Sequence, residues 1–353
     1  MMKKFFTKYC SPAFCFSILG IGFVYGLTRI GLIYPEKVEL VYSQSLYPVL
    51  SRLLSFISNV FPFSLDDLFY ACLIVIVLLF TILLFMRKLS FISYLRRLVI
   101  LIAILYGSFN LFWGFNYLRQ DLGERLELKT AKADVNELME VFGWLVDEVN
   151  RTYTPVYSID KKEVMELIQG SYNKQADFLK VNTSLLDVKA KPISLSSLFA
   201  AATISGYYGP FFSEVHLNKH LMPLDYPMVL AHEMAHKLGI ASEAEANFYA
   251  WLVCSASEDK RLAYSANLYL LQYFVYECRK LDGFREVVKN IRYEVRHDFY
   301  KSHYHWMALM DRNIELVATK VNDAYLKSNN VEEGIEDYEG VVKYVMDYKL
   351  TKR

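Results

Sequence analysis

Three long apolar runs occupy the first third of the chain, and segments with a helical alternation of apolar and polar residues follow them. The runs cover residues 13–33, 67–86 and 98–118. Each is about as long as the twenty apolar residues that an α-helix needs to cross a bilayer. The pattern therefore predicts a membrane domain with three transmembrane helices over 1–119. It predicts a second domain, of soluble character, over 120–353.

Flanking positive charges predict the orientation of these helices. The basic residues before the first run, and between the second and the third, are Lys3, Lys4 and Lys8, then Arg87, Lys88, Arg96 and Arg97. The loop between the first and second runs carries only Lys37 and Arg52. This bias places the N-terminus in the cytoplasm and the second domain outside it. Basic residues just past the third run oppose this orientation, but long translocated domains largely escape the rule. A signal peptide is the competing interpretation of the first run; no small-x-small cleavage pattern follows it, which favours an uncleaved anchor.

The second domain has the pattern of an α+β fold that is mostly helical. Apolar residues at helical spacing predict helices over 131–151, 160–179, 260–281 and 284–300, and a final amphipathic stretch over 331–348. Glycines and a proline near 206–210 indicate a turn. The residues after it alternate as a strand does, and we interpret them as an edge strand to which a peptide substrate can add. They are Phe212, Ser213, Glu214, Val215 and His216. An edge strand without a substrate role is the alternative.

The sequence His232-Glu233-Met234-Ala235-His236 is an HExxH motif. Asp225-Tyr226-Pro227 predicts the start of a helix, and Gly239 predicts its end. On that helix His232 and His236 lie one turn apart on the same face, which is the spacing of two ligands to a single Zn²⁺ ion. Glu233 is suited to act as the general base that takes a proton from water.

A third protein ligand is expected, because two histidines rarely hold catalytic zinc alone. Glu243 and Glu245 are the nearest candidates. Ser242 and Glu245 have the spacing of a capping box, which gives Glu245 a local role at a helix start. Glu243 has no such role, so we favour it as the ligand. Asn247, one turn later, is placed to accept a hydrogen bond from a metal-bound histidine.

The motif HExxH followed by Glu243-x-x-Ala246-Asn247 resembles that of the gluzincin peptidases. In the gluzincins the glutamate usually lies much further from the second histidine than the seven residues seen here. Ser242 stands where the third histidine of a metzincin would be. Over nearly its full length the chain resembles a bacterial membrane family, domain of unknown function 3810. The resemblance implies a membrane protein with a zincin-like domain, and no particular substrate.

Composition restricts the class of partner. The formal net charge is +1, so the chain lacks the basic field of a nucleic-acid-binding protein. No CxxC pair is present, which disfavours a cysteine metal site. Cys254 and Cys278 could form a disulfide in an extracytoplasmic domain, or both could be buried thiols. We therefore expect a protein or peptide substrate, one zinc ion and a lipid bilayer as partners, and the sequence does not indicate an oligomeric state.

The leading hypothesis is a membrane-anchored zinc metallopeptidase. Two alternatives are a catalytically inactive zincin-like scaffold or sensor and a zinc hydrolase of a non-peptide amide. A third is that the HExxH motif occurs by chance in an ordinary helix. Zinc peptidases commonly need a donor that stabilises the oxyanion. Candidates for that donor lie in the run from 296 to 306 and are His297, Tyr300, His303 and His305.

The orientation leads to a direct test. An alkaline phosphatase domain fused after residue 120 is expected to be active, because the bias of positive residues places this position outside the cytoplasm. A green fluorescent protein fused at the same position is expected to stay dark. The opposite pair of signals would contradict the orientation.

Overall fold

The protein is mostly helical. The computed structural model describes residues 11–129 and 134–352, with helix over 73% of the chain and one small sheet of three strands. The chain divides into two compact units. The first contains Met1–Arg119 and Gly209–Glu214, and the second contains Gln120–Tyr208 and Val215–Arg353. The N-terminal lysines, which entered the orientation, lie outside the described residues.

Helices make up the regular structure of the first unit. They are α1 (Pro12–Ile33), α2 (Pro35–Lys37), a π-helix (Val38–Leu46), α3 (Tyr47–Ser58), α4 (Leu65–Phe85), α5 (Phe91–Phe112) and a 3-10 turn (Gly114–Leu118). The three helices α1, α4 and α5 are long and apolar enough to cross a membrane, consistent with a membrane protein. They are almost entirely unburied within the protein, as helices that face lipid would be.

A serine begins each of these three helices. The hydroxyl oxygens of Ser11, Ser64 and Ser90 accept hydrogen bonds from backbone N–H groups three residues later. Such caps satisfy amide donors that have no partner inside the helix. The cap at Ser90 explains why α5 begins at Phe91, seven residues before the predicted start at 98. The predicted end at 118 was also wrong, because the α-helix stops at Phe112 and continues as the 3-10 turn.

Buried polar pairs hold the loops of the first unit. Arg119 donates to both carboxylate oxygens of Glu39, at 2.7 Å from Nε and 2.6 Å from Nη2. The hydroxyl of Ser43 donates to Oδ1 of Asn116 at 2.9 Å. All four side chains are nearly inaccessible to water. Bidentate pairing of this kind satisfies charges that would otherwise be costly to bury.

Among the residues that the structure describes, the second unit contains eleven α-helices, the strand β1 and most of the strands β2 and β3. In chain order the elements are α6 (Leu122–Leu126), α7 (Val135–Thr152), α8 (Lys161–Leu179), β1 (Lys191–Pro192), α9 (Ser196–Ala201), β2 (Gly206–Gly209), β3 (Glu214–Leu217), α10 (Tyr226–Lys237), α11 (Glu243–Ser255), α12 (Lys260–Cys278), α13 (Phe284–Val288), α14 (Tyr293–Leu309), α15 (Arg312–Ser328) and α16 (Val341–Lys352). The core surrounds α11, in which the run from Ala244 to Cys254 is buried throughout. Cys254 and Cys278 are both free and buried.

The sheet corrects the predicted substrate strand. Its strand order is β1-β3-β2, so β3 is the middle strand and has a neighbour on each side. Glu214, Val215 and His216 lie in β3 and are buried, whereas Phe212 and Ser213 belong to the preceding turn. The edge-strand prediction for 212–216 was therefore wrong. Sequence alternation identifies a strand but does not tell a middle strand from an edge strand, because strand order is a tertiary property.

The predicted helix over 284–300 is interrupted. The structure has α13 and α14 with a break between Val288 and Tyr293. Asn150 of α7 binds this break: it donates to the carbonyl of Asn290 at 2.9 Å and accepts from the N–H of Arg292 at 3.0 Å. A distant side chain thus satisfies backbone groups that a continuous helix would have paired.

A buried ion pair joins α6 to α11. Nη2 of Arg125 donates to Oε2 of Glu245, and the N–H of Leu122 donates to Oε1 at 3.1 Å. Arg125 also donates from Nε to the carbonyl of Gln120 and from Nη1 to the hydroxyl of Tyr249. Both charged side chains are less than a tenth exposed. The carboxylate of Glu245 is therefore committed to the anchoring of α6.

Removal of one partner is expected to be costly. Arg125→Met leaves the Glu245 carboxylate buried without its counter-charge, so we expect the free energy of unfolding to fall by about 3–5 kcal/mol. Arg125→Met combined with Glu245→Leu is expected to recover at least half of this loss, because no charge then stays buried. Urea unfolding of the detergent-solubilised protein, followed by circular dichroism, measures both. A double variant as unstable as the single one would contradict the pairing.

Candidate metal centre

The HExxH motif lies in a tight helical hairpin. α10 ends at Lys237, and Gly239 follows with φ of +84°, a left-handed conformation that glycine adopts without strain. Ser242 then begins α11, its hydroxyl oxygen accepting from the N–H of Glu245 at 3.3 Å. Ala246 and Ala250 of α11 are fully buried, and their small side chains allow the two helices to approach closely. The hairpin places the first turn of α11 beside the histidines.

Both histidines have a defined partner on their inner ring nitrogen. Nδ1 of His236 lies 2.7 Å from the carbonyl oxygen of Ile240, which can only accept, so this nitrogen carries a proton. Nδ1 of His232 lies 2.9 Å from Oδ1 of Asn247, whose Nδ2 donates to the hydroxyl of Tyr273. In the neutral imidazoles, each Nε2 atom is then left with an unprotonated lone pair.

These two lone pairs and one carboxylate oxygen converge. Nε2 of His232 lies 3.0 Å from Nε2 of His236 and 3.1 Å from Oε2 of Glu243, and the remaining distance, from His236 to Glu243, is 3.4 Å. Three acceptors this close together repel one another unless a proton or a metal ion lies between them. Ligand atoms of a tetrahedral zinc site with bonds of 2.0–2.1 Å lie roughly 3.3 Å apart. The three residues therefore fit a zinc ion in both number and spacing.

The electrostatics of this cluster favour positive charge. Burial would raise the pKa of Glu243, but His236 and His232 outweigh it and hold that pKa well below its usual range. Burial would likewise lower the pKa of His236, but the Glu243 carboxylate raises it to about 9. Glu243 is thus an anion held against a protonated His236, and binding of a metal ion would displace that proton.

Glu233 lies beside the cluster in a different environment. Burial raises the pKa of its carboxyl group to about 7, although the two histidines oppose the shift. Oε2 of Glu233 is buried and has no hydrogen-bond partner among the residues that the structure describes. Gly206 of β2 makes room for this side chain, since a Cβ atom there would lie 2.6 Å from Oε1. A carboxyl group poised near neutral pH is suited to proton transfer.

The segment Gly334–Gly340 holds the backbone at the third candidate ligand, Glu243, and the sequence analysis did not identify this contact. Oδ2 of Asp337 accepts from the N–H groups of Glu243 and Ala244, at 2.7 and 3.3 Å, and from the hydroxyl of Ser242 at 3.0 Å. Asp337 therefore fixes the start of α11. The next residue, Tyr338, has its pKa raised well above the usual value by burial and by the nearby carboxylate of Glu243. No local pattern marks either residue, because their partners lie about ninety positions away in the chain.

The other predicted site residues contact groups outside the cluster. His297 is mostly exposed beside Asp298, and Tyr300 is exposed and stacks on Tyr304. His305 donates from Nε2 to the carbonyl oxygen of His220 at 2.7 Å. Of the four oxyanion candidates, His303 lines a cavity, which it shares with Tyr269. His216 of β3 is buried and stacks on Tyr207 with ring centroids 4.2 Å apart.

The fold and the cluster define a class of protein: mostly helical, with three candidate membrane spans and a His–His–Glu centre on a helical hairpin. The chain belongs to the family described as "Protein of unknown function (DUF3810)", whose model matches residues 42–346. No curated protein and no solved structure matches the chain.

Metal content distinguishes the two glutamates. Full-length wild-type protein, dialysed against zinc, is expected to keep about one zinc ion per chain. Glu243→Ala is expected to lose most of it, because one of three converging ligand atoms is removed. Arg125→Met/Glu245→Leu, in which the second glutamate is replaced without an unpaired buried charge, is expected to keep the metal. Elemental analysis by mass spectrometry measures all three, and metal loss only in the double variant would contradict Glu243 as ligand.

Proposed function

We propose that this protein is a membrane-anchored zinc metallopeptidase that hydrolyses protein or peptide substrates. The observation that carries the proposal is the convergence of three lone pairs from His232, His236 and Glu243, with both Nδ1 atoms already committed to oxygen acceptors. Next to them lies the buried carboxyl group of Glu233, one oxygen of which has no hydrogen-bond partner in the described part of the chain. A zinc peptidase requires a ligand set of this kind and an adjacent general base.

Each residue has a distinct part in the proposed reaction. When bound, zinc would polarise the scissile carbonyl and bring the pKa of a water molecule toward neutrality. Glu233 would take a proton from the attacking water and return it to the leaving amine. Asn247 and the carbonyl of Ile240 would hold the two imidazoles in the required tautomer. Asp337 would hold Glu243 in place through its backbone amides.

The substrate would bind along β2. This strand, Gly206–Gly209, lies at one edge of the sheet, and its first residue contacts the general base Glu233. A peptide that adds to a sheet edge gains main-chain hydrogen bonds whatever its side chains are. The substrate strand that the sequence suggested at 212–216 is thus replaced by β2, the neighbour of β3 in the sheet.

The three apolar helices support a location in the bacterial cytoplasmic membrane. Helices α1, α4 and α5 would span it, with the N-terminus in the cytoplasm and the second unit outside. The substrate would then be a protein or peptide at the outer surface of that membrane. The near-neutral charge of the chain gives no reason to expect a nucleic acid as partner.

Glu233 also bears on the alternatives. A structural zinc site needs no general base, so a buried carboxyl group beside the cluster favours an enzyme over a scaffold or sensor. An edge strand next to that group favours a peptide over a lipid or another non-peptide amide.

The proposed function is tested by the removal of the base. Glu233→Gln keeps the size of the side chain but accepts no proton, so we expect cleavage of a peptide library to fall about 10²–10⁴-fold while bound zinc is retained. Glu258→Gln, at an exposed position in the same unit, is the matched control and is expected to leave cleavage unchanged. Mass spectrometry of the library products, with zinc analysis of each variant, provides the two measurements.

Two outcomes would overturn the proposal. Equal cleavage by wild type and Glu233→Gln would exclude Glu233 as the base. Bound zinc with no cleavage of any peptide by the wild type would favour a scaffold, or a hydrolase of another amide.

A further inference from the structure

A cavity of about 270 Å³ lies in the second unit, between α12, α14 and the segment that leads into α10. Asp225, Tyr269, Phe299 and Trp306 are among its lining residues. Pockets for drug-sized ligands typically measure 300–1,000 Å³. This cavity is therefore of a size for a single side chain.

The cavity has a negatively charged wall. Burial raises the pKa of Asp225 to about 6, while hydrogen bonds from Ser302 and Trp306 act in the opposite direction. The hydroxyl of Ser302 donates to Oδ2 at 2.9 Å. Above that pKa the group is an anion. Neutral donors thus hold the carboxylate in place without cancelling its charge.

No fixed cation balances this charge. In the described part of the chain, no lysine or arginine side chain forms an ion pair with Asp225. The acidic neighbour Asp298, which accepts a hydrogen bond from Tyr264 at 2.9 Å, adds to the negative field instead. The imidazole of His305 is nearby and lowers the pKa of Asp225, but its Nε2 donates to the carbonyl of His220. A partly desolvated anion without a lysine or arginine partner attracts a cation strongly, since the local dielectric constant is low.

The remaining walls suit a cation with an apolar stem. Tyr269, Phe299 and Trp306 present aromatic rings to the cavity, and Leu268 and Met307 present aliphatic surface. Aromatic faces attract guanidinium and ammonium groups through their quadrupoles. Arginine and lysine side chains combine such a head group with a methylene stem.

We propose that this cavity is a recognition site for a cationic side chain, that of an arginine or lysine in the substrate. The inference rests on the proposed peptidase function, which supplies a peptide to be recognised. Asp225 immediately precedes α10, and His232 follows seven residues later, a rise of about 10 Å along the helix. About three residues of extended peptide span that distance. The recognised residue would lie within a few positions of the scissile bond.

A chain of hydrogen bonds also joins this cavity to the metal centre. Tyr273 donates to the hydroxyl of Tyr269 at 3.3 Å and accepts from Nδ2 of Asn247, which binds His232. The wall of the cavity and one candidate ligand are thus held by the same side chains. A side chain bound in the cavity would therefore help to place the scissile bond at the metal centre.

The test measures binding without catalysis. N-acetyl-arginine amide and N-acetyl-norleucine amide are titrated into detergent-solubilised, full-length protein by calorimetry. The arginine amide is expected to bind wild type more tightly. Asp225→Asn, which keeps the shape and can still accept from Ser302, is expected to weaken that binding about tenfold or more. Binding of the norleucine amide is expected to stay the same.

A second pair of variants guards against misfolding of Asp225→Asn. Gln272 lines the same cavity and is exposed. Gln272→Lys places a tethered ammonium group there and is expected to block the arginine amide, whereas Gln272→Met is expected to leave its binding intact. Equal affinity of wild type for the two amides, or equal effects of the two Gln272 variants, would overturn the proposal. Neither amide is cleaved in this assay, so arginine binding in a protein without peptidase activity would leave the cavity assigned and reject only the proposed function.

Discussion

Two hydrogen bonds fix the chemistry of the whole site. One runs from Nδ1 of His236 to the carbonyl of Ile240, and the other from Nδ1 of His232 to Asn247. In the neutral ring, each places the proton on the inner nitrogen and leaves the outer one unprotonated. With Glu243 beside them, the outer nitrogens form a group of acceptors that a proton or a metal ion stabilises. The metal-binding character of the hairpin therefore follows from its hydrogen bonds as much as from its ligand residues.

The short loop of the hairpin makes this arrangement possible. Gly239 turns the chain so sharply that the carbonyl of Ile240 reaches back to His236, and α11 starts only a few residues later. Glu243 stands seven residues after His236, closer than in the gluzincins that the motif resembles, and yet its carboxylate meets both imidazoles. The carboxylate of Asp337 accepts hydrogen bonds from the backbone amides at the start of α11. The distant segment Gly334–Gly340 thus stabilises a geometry that the loop alone leaves under-determined.

The sequence patterns correctly predicted the features that depend on neighbouring residues in the chain. Helical spacing gave the apolar spans and α10, and Ser242 begins α11 as its position suggested. Tertiary contacts decided the rest. Glu245 satisfies a cap pattern, but its carboxylate pairs with Arg125, and only the fold brings those two residues together. The strand before the motif was visible in the sequence, but its place in the middle of the sheet depends on β1, which is only two residues long. Gly206 was interpreted as a turn residue, but it lies in β2, where the absence of a side chain leaves room for Glu233.

X-ray absorption at the zinc edge, on full-length protein purified with one equivalent of zinc, tests whether His232, His236 and Glu243 hold one zinc ion. We expect two imidazole nitrogens and one or two oxygens around the zinc, all at about 2.0–2.1 Å. A sulfur scatterer at about 2.3 Å, a shell of oxygens without imidazole, or no retained zinc would contradict it.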